Sequence, residues 1–278
     1  RAGPLIIERE TPISAVVNGN QRSGMSALSK GVDLAIAKAK ASKMAIVGTH
    51  NTYTSTGMLA YYAEQIGKAD LIAVVMAQSP EFVAPLGGRK GVFGTNPLCV
   101  AVPGPKEGPL ILDMATAAIT LFGAITAKAN GTQLPPGVAV DSEGNPTRDP
   151  AAALAGAFLT FGGHKGSGLS LIVELLGGVL PGGTPPGGPV SKKESKNWAN
   201  TIIAIDPSLL SDTAEFKRKV RAVCAHVKST GPSVKLPGEI EKGHLKRNLA
   251  AGKLDVSSAL LERIREVAAV RRAPRSRL

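Results

Sequence analysis

Apolar residues change their spacing several times along this chain, and each change predicts an element. Residues 5–8 and Ser14–Asn18 read as short strands, punctuated by Pro12 and Gly19. Leu28, Val32, Ile36 and Ala39 then recur at helical spacing, and Gly31 weakens that helix only locally. A short buried strand is expected at residues 44–47 and a small helix at 57–66, with Met58, Tyr61, Tyr62 and Ile66 as its apolar side. Residues 71–77 are a continuous apolar run, long enough for a buried strand and too short for most helices. Residues 80–97 read as a Gly/Pro-rich loop, Leu98–Val102 and 110–113 as strands, and 116–129 as a helix. Residues 134–150 are polar and turn-rich, a surface wrap. The helix expected at 165–180 is apolar all round, hence buried, although Glu174 lies in its middle. After a Pro/Gly linker at 182–188 and a strand at 201–205, residues 212–228 form the cleanest amphipathic helix. Phe216, Val220, Val223 and Val227 make its apolar stripe; Lys217, Arg218, Lys219 and Arg221 take its wet side. A last helix spans about residues 257–270.

There is no internal repeat and no regular βαβ alternation, so the pattern points to a mixed α/β (α+β) fold rather than a doubly wound sheet. With 43% hydrophobic residues in 278, the chain can bury a full core, which excludes a disordered tail. The apolar stretch at 169–180 is too short to span a bilayer, and Cys99 and Cys224 make no disulfide framework. A cytoplasmic protein without a membrane partner is expected. The net charge of +12 raises the question of a polyanion, but aromatics are 4% and the basic residues scatter over helical wet faces. No nucleic-acid partner is expected.

Three clusters carry candidate chemistry. Residues 87–97, Gly-Gly-Arg-Lys-Gly-Val-Phe-Gly-Thr-Asn-Pro, form a loop in which backbone amides can approach a ligand, or simply a tight structural loop. The sequence is neither a P-loop nor a Gly-x-Gly-x-x-Gly turn. Asp113-Met114-Ala115-Thr116 sits where a strand gives way to a helix; Asp113 or Thr116 can cap that helix, and the same junction offers amides to an anion. Phe161-Gly162-Gly163-His164-Lys165-Gly166-Ser167-Gly168 places a His and a Lys between Gly pairs, where Lys165 suits a phosphate or carboxylate. The four histidines, His50, His164, His226 and His244, show no zinc-site spacing, so no metal is expected.

In order and spacing these clusters resemble the malate/L-lactate dehydrogenase family of NAD(P)-dependent oxidoreductases, the branch without a Rossmann fold. The carrying residues are Ser23-Gly24-Met25, Gly94-Thr95-Asn96-Pro97, Asp113-Met114-Ala115-Thr116, then Leu134-Pro135, Asp141, Gly144, Thr147 and Asp149, then Gly162-Gly163-His164-Lys165-Gly166 and Leu236-Pro237-Gly238-Glu239. The match runs over about residues 5–265. The resemblance implies hydride transfer between NAD or NADP and a small 2-keto/2-hydroxy acid, or a related cyclic imine acid, in a homodimer. It implies a largely antiparallel cofactor-binding sheet flanked by helices, with a second helical or mixed lobe. The expected division is a mixed lobe at 1–80, a cofactor-binding domain at 81–206, and helices at 207–278 returning to the first lobe. By position, Ser79, Asp113, Met114, Ala115, Thr116, His164, Lys165, Pro237, Gly238 and Glu239 would line the cofactor, with 94–97 bracing the pocket.

Two departures bear on catalysis. The family begins with a Ser/Arg/His helical segment that binds the substrate carboxylate and relays a proton, and this sequence, starting at Arg1, is expected to begin after it. The family's His-x-Gly ahead of the small helix aligns here with Ser55-Thr56-Gly57. A hydride reduction needs a proton donor, and His50 is the candidate substitute; its plainer role is a loop histidine at a strand end, satisfied by backbone groups. A catalytically impaired family member that binds a cofactor or serves a structural role is the alternative. The last residues, Ser276-Arg277-Leu278, resemble a peroxisomal or glycosomal address in a eukaryote.

Overall fold

The computed structural model describes residues 2–187, 197–256 and 258–272. Ser276, Arg277, Leu278 and the end of the 182–188 linker lie outside the described residues. By internal contacts the chain divides into two units, Arg1–Pro237 and Gly238–Leu278.

The larger unit is built on a seven-stranded sheet: β1 (Ile6–Thr11), β2 (Ser14–Asn18), β3 (Met44–Thr52), β4 (Ile72–Ala77), β6 (Leu98–Val102), β7 (Leu110–Met114) and β10 (Trp198–Ile205). Their spatial order is β1-β2-β3-β10-β4-β6-β7, antiparallel throughout except for β2 against β3. The sheet therefore takes strands from both the 1–80 and the 81–206 segments. One face alternates with period two: Ala15 and Val17, Ala45 and Val47, Ala73 and Val75, Cys99 and Ala101, Ile202 and Ala204 all enter one core. Helices α1 (Gly24–Ser42) and α2 (Ala60–Lys68) cover that face. Five of the seven buried residues of α1 are Gly or Ala, and a Cβ on Gly31 would lie 2.9 Å from Ile202 Cδ1 and 3.1 Å from Thr49 Cγ2. Gly31 is thus what lets the helix lie close on the sheet.

A second, three-stranded sheet joins β5 (Val83–Ala84), β9 (Ala157–Leu159) and β8 (Ala139–Val140), with α3 (Leu121–Ala129) and α4 (Pro150–Ala155) beside it. Its core holds Phe93, Leu134, Val138 and Phe158. The segments expected as a loop (80–97) and a polar wrap (134–150) therefore contribute strands and core; strands of two residues are too short to display a period. The helix expected from residue 116 starts at Leu121, because Ala117 bridges Thr160 and the Ala118 amide bonds Leu159 O, which keeps that stretch extended. Thr120 caps it by accepting from Gly123 N at 3.0 Å.

The long helix expected at 165–180 is α5 (His164–Val173) running into a π-helical turn, Glu174–Val179. That turn lies on the sheet face opposite α1: Thr201 Oγ1 donates to Leu176 O at 2.7 Å, and a Cβ on Gly177 would meet Met76. The helix is not buried all round. Leu171, Ile172, Leu175, Leu176, Val179 and Leu180 are 40% to 63% exposed.

Helix α6 (Thr213–Ser229) corrects the simple amphipathic reading. Two of its supposed wet residues hold it down, Lys217 on Asp70 at 2.6 Å and Arg221 on Gly104 O at 2.9 Å. Val220 sits on Gly104, whereas Val223 and Val227 remain exposed. In the smaller unit, α7 (Glu239–Ala251) and α8 (Ser258–Arg272) are helices; the spacing of apolar residues predicts only the second. No helix among the described residues is long and apolar enough to cross a membrane.

Ile202 is fully buried at the centre of the main core. Ile202→Ala is expected to cost about 2–5 kcal/mol in a urea unfolding titration; a cost below about 1 kcal/mol contradicts its central place.

Candidate functional site

Where the two sheets of the larger unit meet, side chains from four segments form one polar cluster. Ser79, just beyond β4, has its Oγ 3.3 Å from Thr95 Oγ1 and accepts from Asn96 N at 3.4 Å. The approach is possible because residue 94 is glycine: a Cβ there would lie 2.1 Å from Ser79 Oγ. Thr116 Oγ1 donates to Thr95 O at 3.0 Å and Asn96 O at 3.1 Å, and receives Ser170 Oγ at 2.8 Å. Asn96 Nδ2 donates to Ser170 O at 3.0 Å and to Glu174 Oε2 at 2.8 Å. Gln78 Nε2 donates to Glu174 Oε1 at 2.7 Å. Burial pushes the Glu174 carboxyl above the ordinary range, while the Asn96 and Gln78 amides act the other way.

Of the residues expected to line a cofactor, the structure brings Ser79 and Thr116 into this cluster. Met114 ends β7, and Ala115 packs on the second core. His164 and Lys165 open α5, the helix whose later residues Ser170 and Glu174 complete the cluster. No side chain caps that helix, and a Cβ on Gly163 or Gly168 would find nothing within 4 Å, so the approach to its first turn is open. Pro237 ends the larger unit, and Gly238 and Glu239 open α7 in the smaller one.

The expected helix-capping role of Asp113 and Thr116 is corrected. Asp113 Oδ2 accepts from Ala60 N at 2.8 Å, at the start of α2 rather than of the helix that follows it in sequence. Thr116 is fully buried in the cluster. The other motif residues shape turns: Asp141 accepts from the Glu143 and Asn145 amides, both at 2.9 Å, and Asp149 caps α4.

His50 lies within β3, paired with Asn18 of β2, rather than in a loop. Its partner is a side chain, not backbone: Nε2 lies 2.8 Å from Glu8 Oε2, and Asn18 Nδ2 donates to Glu8 Oε1 at 2.6 Å. Asn18, then His50, hold the Glu8 carboxyl below its usual range. Beside this pair, Asn20, Gln21 and Asn51 all adopt positive φ, at 47°, 59° and 53°. Asn18 Oδ1 accepts from both Asn20 N and Asn51 Nδ2 at 2.8 Å. Thr54 Oγ1 donates to Ser23 Oγ at 3.2 Å, and Ser55 is exposed next to it.

Gln78, Ser170 and Glu174 are the cluster members that sequence reasoning missed. For Glu174 a signal existed, an ionisable residue inside an otherwise apolar run. Two shallow depressions, of about 200 Å³ around Lys68, Asp70 and Lys217 and about 230 Å³ around Lys128, Gln133 and Asp149, contain none of the expected cofactor residues.

Because the folded pKa of Glu8 is lowered, its contribution to stability is present above its unfolded pKa and fades as pH falls through the folded value. Glu8→Gln is expected to flatten the acid side of the unfolding midpoint measured from about pH 6 to about pH 3. An acid limb identical to that of the parent protein contradicts the hold of Asn18 and His50 on the Glu8 carboxyl.

The profile of the malate/L-lactate dehydrogenase family matches residues 2–265. The chain is 38% identical over 270 residues to the malate/(S)-sulfolactate dehydrogenase of Methanothermus fervidus, covering 96% of this chain and 79% of that one. Its structure is similar to sulfolactate dehydrogenase from Methanocaldococcus jannaschii, with TM-score 0.84, 33% identity, and coverage of 95% and 78%. It is also similar to delta1-piperideine-2-carboxylate reductase from Pseudomonas syringae pvar. tomato, with TM-score 0.85, 30% identity, and coverage of 95% and 80%. A match over nearly the whole length places this chain in the malate/L-lactate dehydrogenase family of oxidoreductases.

Proposed function

We propose that the protein transfers a hydride between NAD or NADP and a small 2-keto/2-hydroxy acid. The observation that carries the reading is the convergence of Ser79, Thr95, Asn96 and Thr116 with the helix headed by His164 and Lys165. These residues fit an anionic dinucleotide: an uncapped helix N-terminus, open glycines and one lysine face the approach. When bound, the nicotinamide supplies the hydride. Lys165 serves as a point charge for a phosphate, and the 113–116 segment completes the lining. His50 is the proposed proton donor to the substrate oxygen. Glu8 holds its ring through Nε2, which leaves Nδ1, on the side of Gly182, to deliver the proton. The exposed apolar row from Leu171 to Leu180 fits a second copy of the chain, so the working form in this reading is a homodimer.

A titration of the full chain with NADH and NADPH, followed by a panel of 2-keto acids and cyclic imine acids, tests the reading. Binding and turnover support it, and absence of binding by both cofactors overturns it. Binding without turnover belongs to the second reading, an impaired family member, which the Ser55 substitution in the family's His-x-Gly motif favours. Lys165→Ala is expected to weaken cofactor binding about tenfold, equivalent to about 1.4 kcal/mol. His50→Asn is expected to lower kcat about 100-fold with cofactor affinity unchanged; an unchanged kcat removes His50 from the mechanism. Ile172→Glu is expected to convert a dimer to a monomer in sedimentation, and a monomeric parent protein contradicts the dimer.

A further inference from the structure

We propose that Glu174 is a positioning residue for the cofactor pocket, its buried carboxylate tying together the segments that would line it. The inference rests on the cofactor reading above and adds a residue that the resemblance does not assign. Glu174 is 2% exposed. Its Oε2 accepts from Asn96 Nδ2 at 2.8 Å and its Oε1 from Gln78 Nε2 at 2.7 Å. Gln78 immediately precedes Ser79 and Asn96 immediately follows Thr95, so the two amides that grip the carboxylate flank the 3.3 Å Ser79–Thr95 contact. Asn96 O also takes the Thr116 hydroxyl at 3.1 Å, which fastens the 113–116 segment to the same point. The fourth segment is Glu174's own helix, which begins at His164 and Lys165.

Further observations single out this carboxylate. A buried ion is costly, and an apolar side chain of similar volume often serves stability as well or better. What Glu174 provides instead is two directed acceptors. Asn96 is fully buried with φ at 37°, a left-handed conformation that persists only where its surroundings hold it. Glu174 is also the first residue of a π-helical turn, the helix irregularity that recurs at functional sites. Both amides are oriented by second acceptors, Ser170 O at 3.0 Å for Asn96 and Thr184 O at 2.6 Å for Gln78. Neither can flip without losing one of these bonds. Their carbonyl oxygens, Asn96 Oδ1 and Gln78 Oε1, have no hydrogen-bond partner among the described residues. The amides are thus committed to the carboxylate.

Glu174→Gln keeps the shape but turns one acceptor into a donor that faces a donor. In the full chain, the variant is expected to weaken NADH or NADPH binding at least about tenfold. It is also expected to speed amide hydrogen exchange at least about tenfold around residues 94–97 and 113–116, with β1 to β3 unchanged. Glu174→Asp, which keeps both acceptors, is expected to recover part of each loss. A lowered unfolding midpoint with unchanged affinity and local exchange means a purely structural residue and overturns the proposal, as does an Asp variant no better than Gln. If Glu174→Gln does not fold, Gln78→Met removes one amide donor from the half-buried rim and is expected to move both readouts in the same direction; no change in either overturns the proposal. If the parent protein binds neither cofactor, the functional reading fails, and the exchange measurement still decides the role of Glu174.

Discussion

The larger unit depends on where β10 goes. A strand from residues 198–205 inserts between β3 and β4 and pairs antiparallel with both, uniting segments more than a hundred residues away in sequence. Its two faces have different tasks. Ile202 and Ala204 enter the core under α1, where Gly31 permits close approach, and Thr201 turns the other way to hold the π-helical turn through Leu176 O. The strand that completes the core thereby fixes the helix carrying Ser170 and Glu174 against the back of the sheet.

From that fixed helix the polar junction follows. Two loops leave the sheet, one after β4 and one before β6, and the second sheet continues from Ala117 through its bridge to Thr160. Side chains supplement the backbone bonds at this junction: Thr116 Oγ1 joins its own amide on Thr95 O and reaches Asn96 O, and Asn96 Nδ2 bonds Ser170 O. A low-dielectric setting makes each bond stronger and each omission costlier. The result is a hydrogen-bonded floor next to the start of α5, which the proposed function reads as the seat of an anionic dinucleotide.

Much of the fold was legible in the residues because the main-sheet strands are long enough to show their period, and Ser14–Asn18, Leu98–Val102 and α1 are found where the spacing puts them. The second sheet was not legible, since strands such as Val83–Ala84 are two residues long and held by tertiary pairing rather than local pattern. Helix α6 shows the converse: its stripe reads clearly, yet Lys217 and Arg221 do the docking because Asp70 and Gly104 happen to face them. For the site, the glycine motifs and Thr116 could be read from sequence. Asp113 could not be placed, because its partner Ala60 lies on a helix distant in the chain. Gln78 and Ser170 are ordinary residues until three-dimensional packing brings them to Glu174.

The central claim is that four separated segments, around residues 79, 94–97, 113–116 and 164–165, form one cofactor floor. Hydrogen exchange of the full chain with and without saturating NADH or NADPH tests this most directly. The account predicts slowed exchange in all four segments and none in the depression around Lys128 and Gln133. Binding that leaves those four segments unprotected, or that protects the Lys128 region instead, contradicts it.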